Sequence, residues 1–382
     1  MTRESPDIVI ISPFVPAEND RADPWKERFH GLYERLFNAH MDERFVWFSL
    51  DDSCCRVGRS GRRKVVKISL VRFIWNEVKS LFPQRSPRVY LIAYPMCRSR
   101  ELLRFLLLWL LMAMIRNLSK SEIVLDVIDP PGMMSSVLIE NKHLRKVIVR
   151  YRDLQERLLM SSCTKVIVNS ADLGDFLKKK HGMNRQDFCE IPMGVDVCDY
   201  KADFLPVNGK FVLFYGGVLS EERGAVDLMK CVEKANQVFP VELICCGKVS
   251  PKLKFDKRPW LKVYDHLDYS QYIDHVSSSA HAGIIPYPVN DWWSIVSISK
   301  LATYAAAGLP VLSTNLAYTR RFIAENDMGL SFGRWDEVVD MLEMLFRDEG
   351  RRKAMSMNSR RAAEERLNWA VLAKKLEAVL NL

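Results

Sequence analysis

Residues 299–314 read SKLATYAAAGLPVLST. The small apolar run closes on Gly308 and gives way to Leu309-Pro310-Val311, so a short helix ends at a glycine and feeds a buried strand. Ser297 and Ser299 are both reasonable caps for its start. Lys300 then falls in the first turn, where a cation opposes the helix dipole at a cost of about 0.3–1 kcal/mol. An anion bound at that helix end reverses the sign, because dipole and lysine act on it together. A solvated surface lysine is the plain alternative. The run ATYAAAG argues instead for a tightly packed helix whose first turn faces something.

Upstream, AHAGIIPYPVNDWW (residues 280–293) supplies a strand, then Tyr287 and a loop. Earlier still, FYGGVLSEERG (214–224) places Gly216 and Gly217 between a strand and a helix. Glycines there let the backbone approach a ligand, and the helix after Arg223 offers free N–H groups to an anion. Arg223 adds a guanidinium suited to a diphosphate. Such a turn is often only a tight connection. IPMGVD (191–196) reads first as a turn leading out of a strand.

The rest of the chain alternates strands with helical stretches. Residues 7–12, 45–50, 88–94, 122–128, 165–169 and 188–191 read as strands, with helical spacing over 25–37 and 134–159 between them. The pattern stops at the polar connection around 199–208, and KFVLFYGG opens a second series over 211–215, 241–245, 261–264, 282–286 and 310–312. With 382 residues, two domains are expected: 1–200 and 208–366, the last helix, about 367–382, crossing back to the first. Alternation of this kind predicts an α/β chain of two doubly wound, Rossmann-like domains, with a cleft at the carboxyl ends of their sheets. No G-x-G-x-x-G follows the first strand, which disfavours a dinucleotide-dependent dehydrogenase.

The net charge of +9 suggests anionic partners. Basic residues gather in RVGRSGRRKVVK (56–67) and KHLRKVIVRYR (142–152). Neither run is interleaved with aromatics and no nucleic-acid-binding signature accompanies them, so nucleic acid is not expected as a partner. The nine cysteines show no metal-site spacing. The first residues do not resemble a signal peptide, and a reducing cytoplasm is the simplest compartment. The apolar run 105–115 would rise only about 16 Å as a helix, too short to span a bilayer. It reads as either a buried helix or one lying in a membrane surface.

Taken in order and spacing, these motifs resemble those of the GT-B glycosyltransferases, over nearly the whole chain. KVIVNSADLGDFLKKKHG followed by EIPMGVD resembles the end of that family's acceptor domain, and FYGGVLSEERG its donor phosphate loop. The most specific match is K-L-x-x-Y-x-A-x-G-x-P-V, Lys300 to Val311. The large retaining families usually carry glutamate where Thr303 stands and arginine where Gly217 stands. The pattern is closer to the xanthan-type membrane-associated glucuronosyltransferases, with G-I-x-P-Y at Gly283 to Tyr287 and a lysine followed three residues later by something other than glutamate. VYDHLDYSQYIDHV, with His266, is similar to that family's base-binding strand and helix.

What the resemblance implies is a GT-B glycosyltransferase acting on a nucleotide-diphosphate sugar, with uridine as the implied base. Gly216, Gly217, Arg223, His266, Tyr287, Ser299, Lys300 and Thr303 would bind the donor. In VLDVIDPPG the family's proposed general base falls on Asp129. The residues agree: a carboxylate at a strand's carboxyl end, followed by Pro130-Pro131-Gly132, is placed to take a hydroxyl proton. Asp129 could instead cap the next helix. Asp126, at the opposite strand phase, is not expected to share the site. The closest pattern implies inversion and the broader fold family retention. No cofactor or metal is expected, since a helix dipole with Lys300 and Arg223 can neutralise a leaving diphosphate. The acceptor would be a saccharide or lipid-linked oligosaccharide used in cell-surface polysaccharide synthesis. The enzyme would sit peripherally at the cytoplasmic face of the membrane, with the apolar run and the basic clusters toward lipid. An epimerase of the same fold and a non-catalytic binding partner are the competing readings.

Overall fold

The computed structural model describes residues 7–13, 24–40, 45–59, 62–80, 88–94, 102–183, 187–265 and 267–382. They form two compact units, one of residues 1–192 with 373–382 and the other of residues 193–372. The polar stretch 199–208 therefore lies within the second unit.

In the first unit the Val-, Ile- and Tyr-rich segments become strands β1 (Asp7–Ser12), β2 (Phe45–Ser49), β5 (Arg88–Tyr94), β6 (Glu122–Val127), β7 (Lys165–Val168) and β8 (Asp187–Glu190). All pair in parallel. Two further strands, β3 (Cys54–Arg59) and β4 (Arg62–Lys67), add an antiparallel hairpin at one edge, giving the order β4-β3-β2-β1-β5-β6-β7-β8. Reading RVGRSGRRKVVK as a basic cluster missed this hairpin, because its cations hide a strand alternation.

The stretch 134–159 is two helices, Pro131–Leu138 and Lys142–Ser162. Asn141 separates them by capping the second, its side chain accepting from the N–H groups of His143 and Leu144, each at 3.1 Å. The apolar run lies in the helix Leu102–Leu118. Phe105, Leu108, Leu111, Met112 and Ile115 are buried at helical spacing, so this run is mainly core. None of the described helices is long and apolar enough to cross a membrane.

The second unit has one six-stranded parallel sheet: β9 (Phe211–Gly216), β10 (Val241–Cys246), β11 (Leu261–Tyr264), β12 (Ala282–Ile285), β13 (Val311–Thr314) and β14 (Gly329–Phe332). Its order is β11-β10-β9-β12-β13-β14. The chain winds outward from β9 in one direction, then returns to β12 on its other side. The switch point between β9 and β12 is where such sheets open a crevice at their carboxyl ends. Their registration is close. Leu213 pairs with Ala282 and Phe214 with Gly283. A Cβ on Gly283 would lie 2.5 Å from the Tyr304 ring, so glycine at this position lets the helix Ser299–Ala306 settle onto the sheet.

Candidate functional site

The switch point of the second unit is built from three connections. After β9 come Gly217, a 3₁₀ turn (Glu221–Arg223) and the helix Ala225–Ala235. After β12 come Pro286 and Tyr287, whose carbonyl accepts from the Thr314 hydroxyl at 2.6 Å. The helix Ser299–Ala306 then returns across the same strand ends. Ile298 is its N-cap residue, and no side-chain cap bond closes the first turn. Neither Ser297 nor Ser299 caps the helix, because the N-cap position falls on Ile298 between them; the Ser297 hydroxyl accepts from the Met193 N–H at 3.2 Å.

Lys300 is 8% exposed, far from a solvated surface lysine. Its Nζ donates to the Tyr287 hydroxyl at 2.6 Å and stands 5.0 Å from the Tyr287 ring centroid and 5.6 Å from that of Tyr215. Arg223 lies 5.8 Å from the Tyr287 ring and 5.9 Å from that of Trp293. Trp293 packs on Tyr287 at 4.4 Å and stacks on Trp292 at 4.0 Å. Among the described residues neither Lys300 nor Arg223 forms a close ion pair with a carboxylate, although the Arg223 charge is felt by the neighbouring Glu222. Two cations thus converge on strand ends walled by aromatic rings.

Burial depresses the Lys300 ammonium below its ordinary value; Tyr287 offsets part of this and Arg223 adds to it. Burial favours a neutral Tyr287 phenol, yet Lys300 and Arg223 outweigh it and hold its pKa below the usual tyrosine value. Tyr215, mainly through burial and then through Tyr287, moves well upward. An anion entering here would relieve the repulsion between the two cations, which is the property of a phosphate site.

The backbone N–H groups of the glycine pair are taken up by neighbouring elements. The Gly216 N–H donates to the Tyr304 hydroxyl at 3.0 Å and the Gly217 N–H to the Cys246 carbonyl at 2.7 Å. Both groups are spent inside the fold, so the pair provides close approach rather than donors. Gly217 has φ +125°, and a Cβ there would lie 2.6 Å from Lys300 Nζ. An arginine at this position would have to share the space that Lys300 fills.

Of the remaining sequence candidates, Ser299 and Thr303 share the helix of Lys300, Ser299 half-buried and Thr303 buried. His266 lies outside the described residues. Tyr215, Trp293 and Tyr304 were not singled out from sequence. Tyr304 stands in the K-L-x-x-Y motif itself, and its hydroxyl, donating to the Ile284 carbonyl at 3.3 Å, ties this helix to β12.

In the first unit Asp129 follows β6, half-buried. Pro130, not Asp129, is the N-cap residue of the helix Pro131–Leu138, and no side chain caps it. Asp126, three residues earlier, is fully buried. Arg28 binds it with two donors at 2.8 and 3.0 Å, and the Tyr33 hydroxyl donates at 2.7 Å. Arg28 also donates to the carbonyls of Ile191 and Pro192 at 3.0 and 3.2 Å. Asp126 is thus a structural carboxylate tying β6 to the end of β8. Among the described residues no cluster of His, Cys, Asp or Glu could hold a metal ion.

No protein-family model and no curated protein matches the chain. Solved structures do. Sucrose-phosphate synthase from Thermosynechococcus elongatus superposes with a TM-score of 0.68 at 14% identity, over 99% of this chain and 98% of that one. The α,α-trehalose 6-phosphate synthase of Burkholderia multivorans gives 0.64 at 12% identity, over 99% and 98%. The fold is GT-B. HepE of Anabaena, solved in complex with UDP, has the same GT-B architecture, with a TM-score of 0.59 at 12% identity over 98% and 99%. These GT-B neighbours include nucleotide-sugar glycosyltransferases, at identities that speak for architecture and not for substrate.

Proposed function

We propose that the protein transfers a sugar from a nucleotide-diphosphate sugar, UDP-linked, to a saccharide or lipid-linked acceptor used in cell-surface polysaccharide or glycan synthesis. The observation that carries this is the convergence of Lys300 and Arg223, neither in a close ion pair with a carboxylate, on the switch point of a GT-B donor-type sheet. The donor diphosphate would lie against Lys300, Arg223 and the amino end of the helix Ser299–Ala306. As the bond from the anomeric carbon to the diphosphate oxygen breaks, charge builds on that oxygen, and preorganised cations stabilise it. The acceptor hydroxyl oxygen forms the new bond to the anomeric carbon, and its proton passes to Asp129. A base of this kind fits inversion. The reaction needs no metal, because the two cations and the helix end supply the positive charge. The xanthan-type pattern of the motifs supports this assignment, and with it peripheral contact with an anionic membrane surface at the cytoplasmic face.

The test is product analysis with UDP-sugars, with and without a lipid-linked oligosaccharide extract. UDP release and a glycosylated product that both require acceptor support the transferase. Conversion of the sugar without any acceptor would assign an epimerase, and nucleotide binding without turnover a non-catalytic partner.

A further inference from the structure

The hairpin β3–β4 runs directly into the helix Leu70–Ser80, at the edge of the first unit's sheet. Between them lies a cavity of about 330 Å³, within the range of about 300–1,000 Å³ typical of small-molecule sites. Val46, Cys55, Val57, Val66, Ile68 and Phe73 form its apolar walls, and Asn76, Lys79 and the paired Glu77 and Arg88 complete the lining. Burial, then Cys54 and Glu77, push the Cys55 thiol up to about 12, so this wall is an inert surface and not a nucleophile.

Among the described residues of β4 and the helix, the exposed charges are basic. Glu77 is the one acid in β4 and the helix, and it is buried, accepting from Arg88 at 2.7 Å and from the Tyr90 hydroxyl at 2.8 Å. Strand alternation puts Lys64 on the same face of β4 as the cavity-lining Val66, and both are exposed. On the helix, Val71 and Trp75 stand one turn apart, 67% and 58% exposed. Arg72 and Lys79 flank them, both exposed, with Lys79 Nζ 5.0 Å from the Trp75 ring centroid. Val71 and Trp75 do not line the cavity but form an exposed apolar pair on the adjoining surface of the helix. An aromatic ring and lysine stems beside it have the composition of a membrane-interface belt.

We infer that this is an acyl-chain site for an anionic membrane lipid. The tail enters the cavity past Val66, Val71 and Trp75 reach the headgroup boundary, and Lys64, Arg72 and Lys79 face the lipid phosphates. This deepens, and rests on, the membrane contact proposed above; it relocates that contact from the largely buried run 105–115 to the sheet edge.

The experiment uses the full chain and three probes: phosphatidylglycerol vesicles, phosphatidylcholine vesicles, and dihexanoyl-phosphatidylglycerol below its micelle concentration. Wild-type protein should sediment with the anionic vesicles and not with the neutral ones. Arg72→Glu with Lys79→Glu should weaken that binding by roughly 30-fold or more at low salt. The short-chain lipid should raise the melting temperature of the wild type and leave that of Val66→Trp, whose indole plugs the mouth, unchanged. Should Val66→Trp fold poorly, quenching by acyl-brominated phosphatidylglycerol reads the same contact, as the difference between wild type and Trp75→Phe. Vesicle binding without any effect of the short-chain lipid or any Trp75 quenching would keep the membrane contact and overturn the acyl site. Absence of binding to every probe would overturn both. A dimer abolished by Trp75→Ser, with no response to lipid, would assign the face to a second copy and overturn the inference.

Discussion

Lys300 donates to the Tyr287 hydroxyl across 2.6 Å, with both side chains buried. The phenol takes the place a ligand oxygen would want, and it offsets part of the burial that depresses the ammonium's pKa. The proposed donor affinity therefore depends on Tyr287 through the proton on Lys300. Binding of UDP should weaken as pH rises through the depressed pKa of Lys300, since the neutral amine cannot neutralise a diphosphate. Tyr287→Phe removes the group that holds that pKa up, so the alkaline limb should move to lower pH. Calorimetric titration with UDP across pH 6–10 checks this; superimposable pH profiles for the two proteins would count against it.

Removing the cation altogether is more severe. Lys300→Ala should lower kcat/KM by about 10²–10³-fold, the usual effect of losing one preorganised donor to a developing anion. Steady-state rates over a range of donor concentrations check it. A loss of less than threefold would mean the diphosphate lies elsewhere.

Gly217 and Lys300 occupy one space. Gly217→Ala places a methyl group 2.6 Å from Lys300 Nζ and imposes a left-handed φ on a residue with a Cβ, a strain of about 1–3 kcal/mol. Both the melting temperature and the UDP affinity should fall, affinity by roughly tenfold for each 1.4 kcal/mol expressed at the site. An unchanged affinity would show that Lys300 is free to move aside.

The two aspartates around β6 should separate cleanly. Asp129→Asn should cut transfer by about 10²–10⁴-fold, the range of general-base catalysis, without altering UDP binding, and should lower the melting temperature far less than Asp126→Asn, because its charge acts on Arg28 only as the weaker of the two carboxylates. Asp126→Asn should instead destabilise the fold by about 3–5 kcal/mol, because it leaves the Arg28 charge buried and unmatched. Urea unfolding and single-turnover transfer assays on both variants test the assignment. Reversed outcomes would exchange their roles.

Transfer should be unaffected by millimolar EDTA and by added manganese, since the two cations and the helix end serve the leaving diphosphate. Activity lost to EDTA and restored by manganese would contradict this.

Much of the fold could be read from the sequence because parallel strands buried on both faces leave unbroken runs such as FVLFYG and VYLIAY. The hairpin β3–β4 could not be, since an edge strand with one wet face reads as a charge run. β14 escaped because GLSF carries a glycine and a serine in its four residues and no β-branched side chain. In the site, Lys300, Arg223 and Tyr287 come from motifs whose positions fix them at strand and helix ends. Tyr215 and Trp293 escaped notice because their part depends on packing across three connections, which spacing along one segment does not encode. The hydrogen bonds that occupy Gly216 and Gly217 were hidden for the same reason: their partners, Tyr304 and Cys246, are 88 residues away in one case and on a neighbouring strand in the other.

The most direct test is a thermal-shift panel of UDP, GDP and ADP and their sugars on wild type and Lys300→Ala. The account predicts that UDP and UDP-sugars stabilise the wild type, by about 2.7 kcal/mol at a hundred times the dissociation constant, and that the variant loses most of this shift. No stabilisation of the wild type by any nucleotide, or an equal shift in the variant, would contradict a diphosphate site at Lys300.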